Sequence, residues 1–342
     1  MFESLNLSSR PNWKLRSALV AAGLAIIGTA VWVLRITQMP LASYVGPLPP
    51  LSPEESGLRD HLAEDVRYLS TLGERSTRRA GSLQRTAEYI RDRLQQSGYQ
   101  AIEQPFSVQG ETLNNLEGVV VGSDAAKETI VIGAHYDSAA GTVGANDNAT
   151  GVAATLELAR LLRESKPHRT MRFVFFVNEE PPYFQSENMG SLIYARQLRR
   201  EGIPVKAMIS LETIGFYSDV PHSQKYPSGL AFFYPSRGNF IAFVANPESG
   251  ALVRRSIRRF RESTNFPSEG AAAPAEWPGV GWSDHWSFWQ ESYPAFMVTD
   301  TAAFRYPYYH TADDTFEKLD FEKAARVADG IRRVILMLAN ES

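Results

Sequence analysis

No cysteine occurs among the 342 residues of this chain. Disulfides and thiolate metal ligands are therefore excluded, and any bound metal has to be held by His, Asp or Glu. Histidine is scarce as well: His61, His135, His168, His222, His285 and His310 are the whole set. Neither sign of charge dominates. Lys plus Arg number 35 against 38 for Asp plus Glu, and the net charge of −3 gives no hint of a nucleic-acid partner. No internal repeat is seen. Hydrophobic residues make up 44% of the chain, enough to bury a sizeable core in one large domain or two small ones.

The first forty residues differ from the rest. "SALVAAGLAIIGTAVWVL", residues 17–34, carries no charge. A bilayer-spanning helix needs roughly 20 apolar residues, whereas a secretory signal has an apolar part of about 7–15 and a small-residue cleavage site. The run is nearer the spanning length, and no convincing cleavage site follows it. Arg10, Lys14 and Arg16 precede it and Arg35 follows, which favours an N-terminus inside the cell. The expected organisation is a cytoplasmic tail at 1–16, a transmembrane signal anchor at 17–36, a proline-rich linker at 37–55 and the functional domain at 56–342. That domain would then lie on the extracytoplasmic side of the cell membrane, the periplasm in a Gram-negative bacterium. A cleaved signal and a buried core helix are the alternatives.

Beyond the linker, residues 54–98 are charged and amphipathic. Leu62, Val66, Leu69 and then Ile90 and Leu94 recur at helical spacing, which predicts two surface helices. From about 117 strands and helices alternate. "LEGVVVG", "TIVIGAH", "MRFVFFVNEE", "VKAMISLETIG" and "YPAFMVTD" read as strands. "ATGVAATLELARLLRES", "SLIYARQLRREG", the basic "ALVRRSIRRFRES" and "FEKAARVADGIRRVILML" read as helices. The near-continuous apolar run before Asn178 suits a strand buried on both faces. The alternation predicts an α/β three-layer sandwich, with a mostly parallel mixed sheet and helices on both faces.

Chemistry-bearing residues collect at the predicted strand ends. One strand ends at His135, the next at Glu179 and Glu180, the third at Glu212, and Asp147 lies in the loop leaving His135. Open α/β sheets form their sites outside the carboxyl ends of strands. So many carboxylates in one place would repel one another and resist ionising, unless a divalent cation sits among them. Nitrogen and oxygen donors without sulfur suit zinc, or less often cobalt or manganese. Alone, "HYD" or "EE" means little; the joint placement is the signal.

"GAHYDS", "GANDNATG", "FVNEE", "SLETIG" and "YYHTADDT" resemble, in this order, the blocks of the co-catalytic zinc aminopeptidase family. That family includes bacterial leucyl-type aminopeptidases, glutamate carboxypeptidase-like enzymes and, more distantly, glutaminyl cyclases. The resemblance covers about residues 115–335. It implies a zinc-exopeptidase fold and two zinc ions per chain. Asp147 would bridge the ions, His135 and Glu212 would complete one site, and Glu180 and His310 the other. Glu179 would be the general base that takes a proton from a metal-bound water, whose pKa falls to roughly 7 in a favourable zinc site. Asp137 would orient His135, because ligating imidazoles usually donate their other N–H to a carboxylate or carbonyl. Tyr309 is the candidate donor to the tetrahedral oxyanion, against simple packing within "FRYPYYH". The family's peptide bond after the bridging aspartate is typically cis, which is expected at Asp147–Asn148. One departure is that the carboxylate sharing a metal with the first histidine is often Asp, and here it is Glu212, longer by a methylene.

Further along, "WPGVGWSDHWSFWQ" sets Trp282, Asp284, His285 and Trp286 together as one wall of a substrate pocket, or else as a core-lining helix. The stretch after Glu212, residues 213–229, reads as a loop over the site. Arg237 and Arg305 could bind a substrate carboxylate, though a structural role is the plainer reading. His61, His168 and His222 read as surface residues. The basic stretch at 254–261 could touch an anionic membrane, although a solvated helix face explains it as well. The function expected is a membrane-anchored zinc exopeptidase, an aminopeptidase acting on peptides. The rivals are a single-zinc glutaminyl cyclase, a carboxypeptidase and a binding relative without activity. "DNATG" from Asp147 onward resembles the peptidase form, and all five ligands and the base are present.

Overall fold

The computed structural model describes residues 13–123, 128–227 and 229–341. Residues 1–12 of the expected tail, Arg10 among them, lie outside these. The chain opens with helix α1, Trp13–Thr37, continues with α2, Pro53–Thr71, and α3, Ala80–Gln96, and then enters the sheet. The strands are β1 (Ile102–Val108), β2 (Glu111–Val120), β3 (Thr129–His135), β4 (Thr170–Phe176), β5 (Val205–Glu212), β6 (Ile241–Ala245), β7 (Ser268–Ala272) and β8 (Ala295–Thr299). Between and after them run α4 (Gly151–Leu162), α5 (Gly190–Arg200), α6 (Gly250–Ser263), α7 (His285–Gln290), α8 (Ala302–Arg305) and α9 (Phe321–Asn340).

These strands form one mixed sheet in the order β1-β2-β4-β3-β5-β8-β6-β7. The central run β4-β3-β5-β8 is parallel, β6 pairs antiparallel with β8, and β1 and β2 form an antiparallel edge. Alternation along each strand builds the two outer layers. Ile130, Ile132, Ala134, Phe173 and Phe175 pack with α2, α3, α4, α6 and α9, while Val131, Val174, Phe176 and Met208 pack with α5 and α7. All seven residues of β3 are buried, as its uninterrupted apolar run requires. The three-layer α/β architecture read from the sequence is the observed one.

Three strands differ from the sequence reading. β1, β6 and β7 were not foreseen: "SEGAA" in β7 has little hydrophobic signal, and "IAFVA" in β6 is short. Helix ends carry clear local causes. Ser52 and Glu55 exchange hydrogen bonds in a capping box before Pro53, and the Asp320 carboxylate accepts from Lys323 N at the start of α9. The basic helix α6 buries Leu252, Val253, Ile257 and Phe260 on one face and leaves Arg255 and Arg258 exposed, which is the solvated-face alternative.

Within α1, Ser17–Thr37 is 21 residues with a mean hydropathy of 2.2, its most apolar 18 residues unburied by the chain, and it is the one helix among the described residues long and apolar enough to cross a bilayer. At 1.5 Å per residue it spans about 30 Å, the thickness of a hydrocarbon core. Its end does not float free. Trp32 meets Trp277 edge-on with centroids 5.6 Å apart, and Ile36 packs with Ala273 and Val280. The expected linker is also held down. Arg261 donates to the carbonyls of Pro40 (3.2 Å) and Leu41 (2.6 Å), and Ser268 N donates to Ser43 Oγ at 2.9 Å. Proline lacks an N–H but keeps its carbonyl, so this segment can be tied down only by donors from the domain.

A glycine in α9 offers a test in which propensity and packing have opposite signs. Helix propensity favours Gly330→Ala by about 1 kcal/mol. A Cβ there would collide with the Phe260 ring and lie 2.6 Å from Thr264 Cγ2. Overpacking of this kind costs about 1–3 kcal/mol. Gly330→Ala is therefore expected to lower the urea midpoint; a raised midpoint would mean that α6 and α9 move apart freely.

Candidate metal centre

The parallel register brings the ends of β4, β3 and β5 side by side, and the chain turns sharply at each. After β4, Asn178 takes φ 64° so that Glu179 and Glu180 face the end of β3; after β5, Thr213 takes φ 46° behind Glu212. His310, on the turns before α9, also has φ 56°. Non-glycine residues in this region are uncommon and gather at functional sites. The Asp147–Asn148 peptide bond is cis, as the resemblance led one to expect.

Two groups of donors result, and they share Asp147. Asp147 Oδ1 lies 3.3 Å from His135 Nε2, which is 3.2 Å from Glu212 Oε2. Asp147 Oδ2 lies 3.0 Å from His310 Nε2, which is 3.3 Å from Glu180 Oε2. Donors about 2.0–2.1 Å from a tetrahedral zinc stand roughly 3.3 Å apart, so both groups fit such an ion. His135 Nε2, Asp147 Oδ1 and Glu180 Oε1 are buried yet make no hydrogen bond, which is costly unless something else satisfies them. Glu212 reaches this place despite its extra methylene, and Ser283 Oγ donates to its Oε2 at 2.8 Å. Glu179 stands beside the first group, its Oε2 3.9 Å from His135 Nε2.

The profile of peptidase family M28 matches residues 115–335. The chain belongs to that family. This M28 member is a zinc metallopeptidase. It is 40% identical over 282 residues to the uncharacterised protein YfbL of Escherichia coli K12, covering 80% of this chain and 86% of that one. It is 25% identical over 302 residues to a probable leucine aminopeptidase of Trichophyton verrucosum, covering 82% and 74%. Among solved structures it is similar to the LapA aminopeptidase of Legionella pneumophila, with a TM-score of 0.67 at 20% identity over 87% of this chain and 78% of that one.

Around the donors of this M28 peptidase lies a layer of positioning contacts. Asp137 meets His135 through its backbone carbonyl. His135 Nδ1 is 3.1 Å from the backbone carbonyl of Asp137 and 3.6 Å from its carboxylate. The carboxylate instead accepts from the backbone N–H groups of Glu179 (3.2 Å) and Glu180 (3.1 Å), so one residue orients the imidazole and the two glutamates together. Further residues carry no role on sequence grounds, although Gly144, Asn148 and Asp314 lie inside the quoted motifs. Asp314 accepts from Asn146 N and Asp147 N at 2.8 and 3.1 Å, and Tyr306 donates to it at 2.8 Å. The Asn148 side chain bridges the carbonyl of Leu211 and the N–H of Thr213, tying the Asp147 loop to the end of β5. The fully buried Arg75 donates to the carbonyls of Tyr136, Val143 and Gly144. Gly144 has φ 59°, and a Cβ there would collide with the carbonyl oxygen of Asp147, so only glycine fits.

Electrostatics reflect the crowding. Burial opposes charge on His135, but Glu212 and Glu179 lift its pKa well above the usual imidazole value. Burial likewise opposes charge on His310, yet Asp147 and Glu180 raise it to about 10. Burial would raise Asp147, but hydrogen bonds from the two imidazoles hold it below the usual carboxylate range. Burial, with the charge of Asp147, pushes Glu180 and Glu212 up to about 7. Burial pushes Glu179 well above an ordinary glutamate.

Next to the donors, a cleft opens over the β8, β6 and β7 end of the sheet. Glu212 and Tyr309 line it at the donor side. The Tyr309 ring stacks on His310 with centroids 3.9 Å apart, and burial and the surrounding acids push its hydroxyl pKa well up, so it stays protonated. The expected loop after Glu212 does cover this region, through Gln224, Tyr226 and Leu230. Trp282 lines the cleft, 43% exposed and stacked on Phe304. Asp284 and His285 do not: both are fully buried beneath it, and His285 Nε2 is 2.7 Å from the Val280 carbonyl. Trp286 is half-buried and lies outside the cleft lining. Asp284 and His285 are therefore not a wall of the cleft; Asp284 is buried within electrostatic reach of His135 and Asp137. Arg305 is buried, with Nε donating to Gln224 and Nη1 to the Phe240 carbonyl. His168 and His222 are exposed; His61 is partly exposed but contacts the buried Glu157 at 3.0 Å.

Zinc uptake by the metal-free protein should release protons. At pH 7 imidazoles with raised pKa values carry protons, and carboxyls near 7 are about half protonated; all must lose them to ligate. Affinity should therefore fall as pH drops through 7. Calorimetry in two buffers of different ionisation enthalpy is expected to give about two or more protons released per chain loaded. An enthalpy that does not depend on the buffer would contradict this.

Proposed function

We propose that this M28 peptidase is a membrane-anchored aminopeptidase that holds two zinc ions and removes N-terminal residues from peptides. The observation that carries it is Asp147, whose two oxygens each face a different imidazole with its own glutamate, Glu212 or Glu180. Asp147, His135 and Glu212 would hold one ion, and Asp147, Glu180 and His310 the other. Bound zinc supplies Lewis acidity, lowering the pKa of water and polarising the substrate carbonyl.

The chain's own groups do the rest. Glu179, beside His135 and shielded from solvent, takes the proton of the attacking water and passes it to the leaving amine. Its raised pKa suits it to hold that proton between the two transfers. Tyr309 keeps its hydroxyl proton and offers it to the oxyanion at the cleft's inner end. Asp137 holds the backbone of Glu179 and Glu180 in place. Lys225 is the one cationic side chain lining the cleft among the described residues, and its Nζ is turned to the His222 carbonyl at 3.2 Å. A carboxypeptidase would need a cation free to meet the substrate's terminus.

Glu179→Gln keeps the shape of the side chain but cannot accept a proton. It is expected to lower kcat on aminoacyl amides by about 10²–10⁴-fold while metal analysis still finds two zincs per chain. Full activity in this variant would remove Glu179 from the mechanism, and one zinc with ring closure of N-terminal glutamine would make the protein a cyclase.

The apolar run 17–34 of α1, with Arg10, Lys14 and Arg16 before it and Arg35 after it, supports an anchor whose catalytic domain faces away from the cytoplasm. In right-side-out membrane vesicles the domain should be open to added protease and stay bound through a carbonate wash. Protection from protease, or release by the wash, would refute the anchored topology.

A further inference from the structure

One carboxylate in the cleft has no part in the proposed metal centre. Glu269, on β7, lines the cleft together with Glu212. Their relation follows from the sheet register. Glu212 pairs with Thr299, Thr299 with Ala242, and Ala242 with Glu269. Residues directly opposed across neighbouring strands point to the same face, so this row forms a floor from the metal centre to Glu269. All four members line the cleft. Three strand spacings of about 4.8 Å set Glu269 roughly 14 Å from Glu212.

The surroundings of Glu269 suit a cation. Tyr226 and Tyr234 are stacked with centroids 5.7 Å apart, Trp282 and Phe304 with centroids 6.1 Å apart, and all but the exposed rim of these rings borders the same cleft. Aromatic faces attract ammonium and guanidinium groups, and a carboxylate at the end of an aromatic channel adds a full charge. The countercharge at hand is incomplete. Arg261 Nη2 is 3.8 Å from Glu269 Oε2, too far for a hydrogen bond, and the Arg261 N–H groups already serve Ser268, Pro40 and Leu41. The same contacts back the cleft with protein behind Glu269, so the far end accommodates a side chain and not a continuing peptide.

Length then selects the residue. From Glu212 to a zinc and on to the substrate carbonyl oxygen takes about 4 Å, and a hydrogen bond to Glu269 about 3 Å. About 7 Å of the row remains, which the five or six bonds of roughly 1.5 Å beyond Cα in lysine or arginine can cross when extended. Leucine ends well short of it.

We propose that Glu269 is a specificity-determining residue that selects substrates whose N-terminal residue has a long cationic side chain, lysine or arginine. This rests on the aminopeptidase reading and deepens it. Norleucine matches the lysine stem without its ammonium group, so the lysine-to-norleucine ratio isolates the charge. The full-length enzyme is assayed in detergent with the 4-nitroanilides of lysine, arginine, norleucine, leucine and alanine. The expected kcat/KM for lysine exceeds that for norleucine by at least about tenfold, and Glu269→Gln brings the ratio close to one. A wild-type ratio at or below one, with leucine or alanine cleaved well, would overturn the role of Glu269 and leave the aminopeptidase standing. A high ratio that Glu269→Gln does not move would overturn it too. Should that variant not fold, the wild-type ratio decides alone. If none of the five anilides is cleaved, the aminopeptidase reading falls and this inference with it.

Discussion

Five ionisable side chains crowd around one buried aspartate, and most of the molecule near them exists to make that crowding tolerable. Asp147 faces an imidazole from each of its oxygens, and each imidazole faces a further glutamate. Bare carboxylates buried so closely repel one another and lose hydration, which is why Glu180 and Glu212 are pushed to about 7. The family's zinc resolves the conflict in one step, by giving every carboxylate a positive partner. Until then the two histidines carry the compensating charge. The site is thus built for a cation in the same sense that a salt bridge is built for its second partner.

The scaffold answers this demand with rigid parts. Parallel strands put three strand ends at one edge, where a hairpin sheet would have scattered them. Asp137 sets two glutamate backbones and an imidazole with one side chain. Arg75 adds a buried positive charge and ties down the carbonyls of the loop that carries Asp147. Burial lowers its pKa and the nearby Asp314, Asp137 and Asp147 raise it, leaving it at about 10, so the guanidinium remains charged at physiological pH where those acids need it. Asn148 and Gly144 then fix the loop from either side of Asp147. The same register that assembles the donors lays out the cleft floor, so chemistry and selectivity share one row of the sheet.

Much of this was legible in one dimension, because the strongest signals are local. The apolar run before Asn178, the periodic faces of α4 and α9 and the strand-end acids each reflect burial or chain direction within a few residues. Short strands without hydrophobic contrast, such as "SEGAA", carry no such signal, because their burial comes from neighbours distant in sequence. Asp284 and His285 show the opposite error: a polar pair among tryptophans resembles a pocket wall, yet the tryptophan at 282 faces the cleft while the pair turns inward.

The sequence by itself determined the fold class and an apolar run long enough to cross a bilayer, since composition and spacing constrain those directly, while the donor set rested on the resemblance to the aminopeptidase family. Only the tertiary structure decided how far apart the donors stand, that the Asp137 carboxylate holds the backbone of Glu179 and Glu180, that Arg75 and Asp314 hold the Asp147 loop, and that Glu269 lies in line with Glu212. The physical reason is that each of these depends on strand register or on contacts across scores of residues, and a one-residue shift in register would turn the whole row to the other face.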